Sequence, residues 1–297
     1  MSDQPTISVV IPAYNSEKFV ADAIKSVLAQ TVPPLEIIVV DDGSTDGTSG
    51  IVSRFSSSVR PIRQGNEGPA SARNHGIREA KGEWIALLDA DDTWLPQKLE
   101  RQILHTNDSK IGVIHAFSEG WKREESGRGN PDFKTLWLKN SLITSSVLMR
   151  KSACEEVGYF EEDRALIAVE DYNLWLRFAH AGWEIVTCAE PLMRYTPAAG
   201  NLSSQIERFA AAELANVEDI GQRLKLPQDS LHAKRIAIYE EYGRDLLYER
   251  HLTAARKMLS IPLRDHPTPA RLKWWLATLI PRSLLDWRRS RTQPQNL

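Results

Sequence analysis

Apolar residues in the N-terminal part of the chain fall into short unbroken blocks, Ile7 to Ile11, Glu36 to Val40 and Trp84 to Leu88, each rich in β-branched or aromatic side chains and too short for a helix. Between them the period lengthens to that of a helix. Phe19, Val20, Ala23, Ile24, Val27 and Leu28 share one helical face, further helices are expected over Thr45 to Phe55 and Ala70 to Ala80, and a short strand is expected around Val59 to Ile62. The alternation reads βαβαβαβ. Apolar strands joined by helical crossovers predict a mostly parallel, Rossmann-like sheet flanked by helices, with ligands gathering beyond the carboxyl ends of the strands. From Ile111 the pattern loosens: strand-like pieces, Ile111 to Phe117 and Ser145 to Met149, flank a loop rich in glycine and charge, Glu119 to Pro131, which reads as a mobile lid. After Pro197 the pattern is almost wholly helical, with helices expected over Ile206 to Leu226, Leu231 to Arg250 and Thr253 to Ile261. The expected organisation is an α/β domain over 1–200, in halves of 1–117 and 118–200, followed by an α-helical extension over 201–297.

Each early strand runs into polar chemistry. The first ends in Pro12-Ala13-Tyr14-Asn15, the second in Asp41-Asp42-Gly43-Ser44, and the third block in Asp89-Ala90-Asp91-Asp92. Taking a single ionised carboxylate out of water costs several kcal/mol, so three within four positions at a strand end call for a counter-charge. A hard divalent cation with oxygen ligands supplies one. A solvated turn, with Asp92 or Thr93 capping the helix after Pro96, is the competing explanation. Turn chemistry accounts for Gly43 and Ser44, whereas the adjacent Asp41 and Asp42 have the acceptor capacity to read a base N–H or ribose hydroxyls. In Asn66-Glu67-Gly68-Pro69-Ala70-Ser71-Ala72-Arg73-Asn74, a helix start with an arginine one turn in suits a diphosphate, although a capped helix with a surface arginine reads the same way.

Composition narrows the class. With 297 residues and 42% apolar content, the chain holds an ordinary globular core, and a net charge of -2 argues against a dedicated nucleic-acid binder. Cys154 and Cys188 match neither a disulfide framework nor a metal spacing, which points to reduced thiols and a reducing compartment. Met1 to Pro5 carries no basic segment, and no run of about 18 apolar residues occurs, so neither a signal peptide nor a membrane span is expected. The expected location is cytoplasmic, free or peripheral on the inner face of the plasma membrane.

Together, Pro12-Ala13-Tyr14-Asn15, Val39-Val40-Asp41-Asp42-Gly43-Ser44-Thr45-Asp46, Asn66 to Gly76 and Leu87-Leu88-Asp89-Ala90-Asp91-Asp92 closely resemble family 2 inverting glycosyltransferases of the GT-A fold, over residues 5 to 200. The resemblance implies a nucleotide-diphosphate-sugar donor and Mn2+ or Mg2+. It places Asp89 near the donor ribose, Asp91 as direct metal ligand with Asp92 close by, and Asp41 or Asp42 at the base. Pro12, Ala13, Tyr14, Asn15, Asn66, Ala70, Arg73 and Ala90 complete the donor pocket by the same resemblance. It also requires an acidic pair opening a later helix, which Glu170-Asp171 supplies, with Asp171 as general base; taken alone, the pair would merely complement a helix dipole.

Trp175 either lines the acceptor pocket or belongs to the core. Arg194-Tyr195 and Gly200 to Ser203 lie where relatives carry a loop over the diphosphate, and Thr196 to Ala199 departs from their pattern. His75 sits at a variable position and reads as structural. The Trp-rich basic stretch within 271–291 suits an interfacial helix on anionic lipid or a hairpin packed on the catalytic domain. The implied reaction moves a sugar, UDP-linked, with inversion to a hydroxyl of a glycan or lipid-linked acceptor in surface polysaccharide, lipopolysaccharide or glycoprotein synthesis. A sugar-nucleotide pyrophosphorylase would need a Gly-rich loop and a lysine after the first strand, which Pro12 to Asn15 lacks. An inactive scaffold predicts loss of Asp89, Asp91 or Asp171, and all three are present.

Overall fold

Four strands, β1 (Ile7–Ala13), β2 (Glu36–Asp41), β3 (Arg60–Arg63) and β4 (Trp84–Leu87), form the parallel half of an eight-stranded sheet. The computed structural model describes residues 4–120, 129–196, 205–282 and 284. The sheet is completed by β5 (Thr93–Trp94), β6 (Ile111–Ser118), β7 (Leu148–Arg150) and β8 (Glu184–Arg194), in the order β3-β2-β1-β4-β7-β6-β8-β5. Its second half is mixed: β7 runs antiparallel to β4 and β6, and β8 runs parallel to β6 and antiparallel to β5. β4 is therefore the strand at which the sheet changes direction.

The helices of this unit are α1 (Val20–Leu28), α2 (Thr48–Ser53), α3 (Pro69–Glu79), α4 (Lys98–Gln102), α5 (Phe133–Leu138), α6 (Lys151–Val157) and α7 (Glu170–His180). One sheet face, with Val9, Ile11, Val39, Trp84 and Ala86, packs on Val20, Ala23, Ile24 and Val27 of α1. Each large aliphatic side chain so buried contributes about 1.5–3 kcal/mol. On α3, Gly76 approaches the sheet so closely that a Cβ there would lie 2.4 Å from Val10 Cγ1.

Several boundaries differ from expectation. Ser145 and Ser146, expected in a strand, form a 3-10 turn, Thr144–Ser146, before β7. The Ser146 hydroxyl donates to Ile143 O at 2.7 Å and accepts from Ala116 N of β6 at 3.2 Å, so side-chain bonding replaces the ladder. α2 begins at Thr48 because Thr45 N donates to Asn15 Oδ1 and Gly47 N to Glu17 Oε2, each at 2.9 Å. β5 and β8 have no clear trace in the sequence: β5 is two residues long, and β8 is bulged against β6 around Pro191. Within the expected lid, residues 121–128 lie outside the described residues.

The chain divides at Ala199, and residues from Gly200 onward form a second unit built from α8 (Ile206–Leu224), α9 (Gln228–Tyr248), α10 (Leu252–Asp265) and α11 (Pro269–Ala277). Lys225, at φ 53, ends α8. Gly243 of α9 lets α10 come close, since a Cβ there would meet Leu259 Cγ at 2.7 Å. Leu272, Trp274 and Leu276 on α11, and Leu279 beyond it, are exposed. Residue 283 and residues 285–297, Trp287 among them, lie outside the described residues. Among the described residues no helix is long and apolar enough to cross a membrane.

Candidate active site

Because β1, β2 and β4 are parallel neighbours, their polar tips emerge on one edge of the sheet. β7 runs the opposite way, so the turn preceding it, Thr144–Ser146, arrives at that same edge.

At the β1 tip, Pro12 and Ala13 are still in the strand, Tyr14 is exposed, and Asn15 takes a left-handed φ of 47 that aims its side chain at the neighbouring loop. Asn15 N donates to Ser44 Oγ at 3.0 Å, closing the β1 loop onto the β2 loop. Asp41 and Asp42 are both buried. Asp41 accepts from Ser44 N at 2.8 Å, from the Ser49 hydroxyl and from Arg63 Nη1 at 3.0 Å. Burial alone would raise its pKa, but these hydrogen bonds and the Arg63 charge hold it below the usual value. Asp42 accepts from Gln64 Nε2 at 2.9 Å, Glu67 N at 3.0 Å and Gly68 N at 2.8 Å, bracing the approach to α3. Both carboxylates, expected to face a base, are thus largely engaged by their own loops. Asn66 is exposed, its backbone against Gly43, while Ala70 is buried in the first turn of α3.

Arg73 departs furthest from expectation. Its guanidinium is buried, donating through Nη2 to Asp89 Oδ1 and through Nη1 to Glu170 Oε1, both at 2.7 Å, with the Phe160 ring 5.4 Å away. A buried guanidinium requires carboxylate partners, and these two take the place of an open face towards a diphosphate. Burial would lower its pKa, but Asp89 and Glu170 raise it, so Arg73 stays charged. Glu170 is buried too, and its other oxygen accepts from Ala168 N at 2.7 Å. Both of its oxygens are thus engaged, one by Arg73 and one by the backbone beside it.

Past β4, Ala90 packs into the core while the aspartates around it diverge. Among the described residues Asp91 makes no hydrogen bond beyond its own backbone, and burial followed by the Asp89 charge raises its pKa. Burial first, then Asp89, pushes Asp92 up to about 7, although it accepts from Thr196 N at 2.9 Å and bonds the Ser145 hydroxyl. Asp89 disfavours ionisation of both Asp91 and Asp92, and of the three only Asp89 is paired with Arg73 among the described residues, which leaves unbalanced negative charge. This oxygen-only donor set fits a hard cation, though no three acidic, His or Cys side chains converge into a ready-made metal cluster among the described residues.

Asp171, half-buried in the first turn of α7, accepts from Thr144 Oγ1 at 2.5 Å and from Tyr172 N at 2.6 Å. Burial and the neighbouring Glu170 push its pKa up to about 6. Trp175, by contrast, is wholly buried between Phe160 and Phe178, which makes it core and not pocket wall. His75 Nδ1 lies 2.8 Å from Gln64 Oε1, in support of the Asp42 loop. Both cysteines are buried with thiol pKa values pushed up by burial, to about 12 for Cys154 and about 11 for Cys188. The sequence reading missed Arg63, Gln64, Thr144 and Ser145; three consecutive hydroxyl residues before a strand were the one available trace of the last two.

Residues 8–158 match the profile of Glycosyl transferase family 2. The chain is 44% identical over 115 residues to an uncharacterized glycosyltransferase of Nostoc sp., covering 37% of this chain and 35% of that one. It is 40% identical over 104 residues to the putative teichuronic acid biosynthesis glycosyltransferase TuaG of Bacillus subtilis, covering 34% of this chain and 41% of that one. It therefore matches well under two thirds of either relative. Among solved structures it is similar to the mannosyltransferase PcManGT of Pyrobaculum calidifontis in complex with GDP-Man and Mn2+, with TM-score 0.66, 20% identity and coverage of 96% and 84% of the two chains. It is also similar to S. aureus TarS 1-349 in complex with UDP-GlcNAc, with TM-score 0.62, 18% identity and coverage of 96% and 92%. At these identities the likeness is one of fold.

Proposed function

Because the chain belongs to glycosyl transferase family 2 and has the GT-A fold, we propose that it transfers a sugar from a nucleotide-diphosphate donor, UDP-linked, to a hydroxyl of a glycan or lipid-linked acceptor. The reading includes inversion at the anomeric carbon and a place in surface polysaccharide assembly. The observation that carries it is the Arg73 bridge: one buried guanidinium ties Asp89, among the donor-side aspartates, to Glu170, the neighbour of Asp171. Sugar-nucleotide complexes of the two fold neighbours and the teichuronic acid relative support the donor and acceptor classes.

In this mechanism Asp171 takes the proton of the acceptor hydroxyl as that oxygen attacks the anomeric carbon. The bond to the nucleotide diphosphate breaks on the opposite face, so one C–O bond forms, one breaks, and the proton rests on Asp171. Arg73 keeps Asp89 oriented, and Glu170 keeps Arg73 in place. Mn2+ or Mg2+ held by Asp91, with Asp89 and Asp92 beside it, would supply positive charge against that growing on the departing diphosphate. The zipped loops of Asn15, Asp41 and Asp42 shape the base end of the pocket beside the exposed Tyr14, with Pro12, Ala13, Asn66 and Ala70 lining it.

Leu272, Trp274, Leu276 and Leu279, exposed beside Lys273 and Arg282, support peripheral contact of residues 271–291 with an anionic membrane. Co-sedimentation with anionic but not neutral vesicles, weakened by the Trp274→Ala/Leu276→Ala pair, checks this contact. The transfer reading itself is tested by thermal shift with UDP- and GDP-sugars, with and without Mn2+. Stabilisation of several degrees by one donor, dependent on metal and lost in Asp91→Asn, is expected; no response to any sugar nucleotide would sink the reading.

A further inference from the structure

We propose that the buried turn Thr144–Ser146 is the positioning element of this site, with Thr144 holding the Asp171 carboxylate in a fixed place relative to the aspartates that follow β4. The proposal rests on the transfer reading in taking Asp171 as the base. All three side chains of the turn are buried, and they differ in what they bond. Ser146 is satisfied by backbone, giving its proton to Ile143 O within the turn and accepting from Ala116 N of β6. Ser145 Oγ accepts the Asp89 N–H at 3.0 Å, which leaves its own proton for Asp92. Thr144 donates to Asp171 Oδ2 at 2.5 Å, and Tyr172 N–H fixes Oδ1 at 2.6 Å, so both oxygens of the base have set directions.

The turn is itself anchored. Gln102 Nε2 donates to Ile114 O at 3.1 Å and to Ser146 O at 2.8 Å, Trp94 Nε1 donates to Ser145 O at 2.7 Å, and Leu87 N of β4 donates to Val147 O at 3.1 Å. Two successive residues of one held segment therefore reach the donor-side aspartates and the base. A purely structural threonine would return its proton to a nearby carbonyl, as Ser146 does; Thr144 gives its proton to a carboxylate 27 positions away.

The charged groups bearing on Asp171 are Glu170 beside it, which disfavours its ionised form, and Arg73, which favours it; the Thr144 hydroxyl also favours the ionised form. Carboxyl 13C NMR of aspartate-labelled full-length protein, with the Asp171 signal assigned by its loss in Asp171→Asn, reads the titration directly and needs no substrate. Thr144→Val and Thr144→Ala are expected to raise the Asp171 midpoint by about 1 pH unit, and Thr144→Ser to leave it in place. In parallel, the acid limb of UDP-GlcNAc turnover with Mn2+ should move with the midpoint while KM for the donor holds. An unchanged midpoint in folded Thr144→Val and Thr144→Ala overturns the proposal, and so does unfolding of both while Thr144→Ser stays folded, because the hydroxyl would then serve the core. A shifted midpoint in a chain that turns over no sugar nucleotide keeps the positioning role and removes the transfer reading.

Discussion

Arg73 satisfies two carboxylates with one guanidinium, and among the described residues neither partner has a second cation to turn to. Arg73→Met leaves Asp89 and Glu170 uncompensated, with Glu170 and the substituted side chain both inside the fold; an expected loss of about 3–5 kcal/mol is measurable by urea unfolding. Arg73→Lys keeps the charge but lacks the fork that reaches both partners, so it recovers only part of this stability. Asp171 makes a different prediction. Its raised pKa, about 6, means that the protonated form dominates below that pH, and a protonated carboxyl cannot accept the acceptor's proton. Turnover is therefore expected to fall tenfold per pH unit below pH 6 and to level off above it, with the limb absent from the residual activity of Asp171→Asn. Asp89 and Asp171 were visible in the sequence because each stands in a local motif. The partners that tune them were not: Thr144 and Ser145 meet Asp171 and Asp89 across 27 and 56 positions, and no local pattern records such a meeting.

β1, β2 and β4 were legible because strands buried on both faces read as unbroken apolar runs, and α3 because its start and its arginine have fixed spacing. β8 was not, since its exposed Ala189-Glu190-Pro191 stretch interrupts any alternation of buried and exposed positions. Ser145 and Ser146 of the 3-10 turn read as the start of a strand because they precede a true one, and only their hydroxyl bonding distinguishes them. Loop geometry was readable at Gly43, where φ is +76 and a Cβ would lie 2.9 Å from Asn66 N. Gly43→Ala is expected to cost about 1–3 kcal/mol in thermal or chemical unfolding. It should also weaken donor binding, since the same loop carries Asp41 and Asp42.

At the scale of the molecule, the direction change at β4 gathers the site: parallel β1 and β2 bring their ends, and antiparallel β7 brings its beginning, to one edge. The sheet's two outer strands have the opposite character from its centre. β5 is only two residues long, and β3 reads Arg60-Pro61-Ile62-Arg63, three of its four residues exposed. A strand of this kind offers a passing chain a missing N–H at Pro61 and a pair of cations in place of a clean row of donors and acceptors. Colloidal behaviour follows from it. Replacing Arg60 with Thr and Pro61 with Val should leave the pocket untouched, yet make concentrated solutions scatter light and seed intermolecular β-structure on mild warming; a variant that stays as clear as the wild type would show that these residues do not guard the edge.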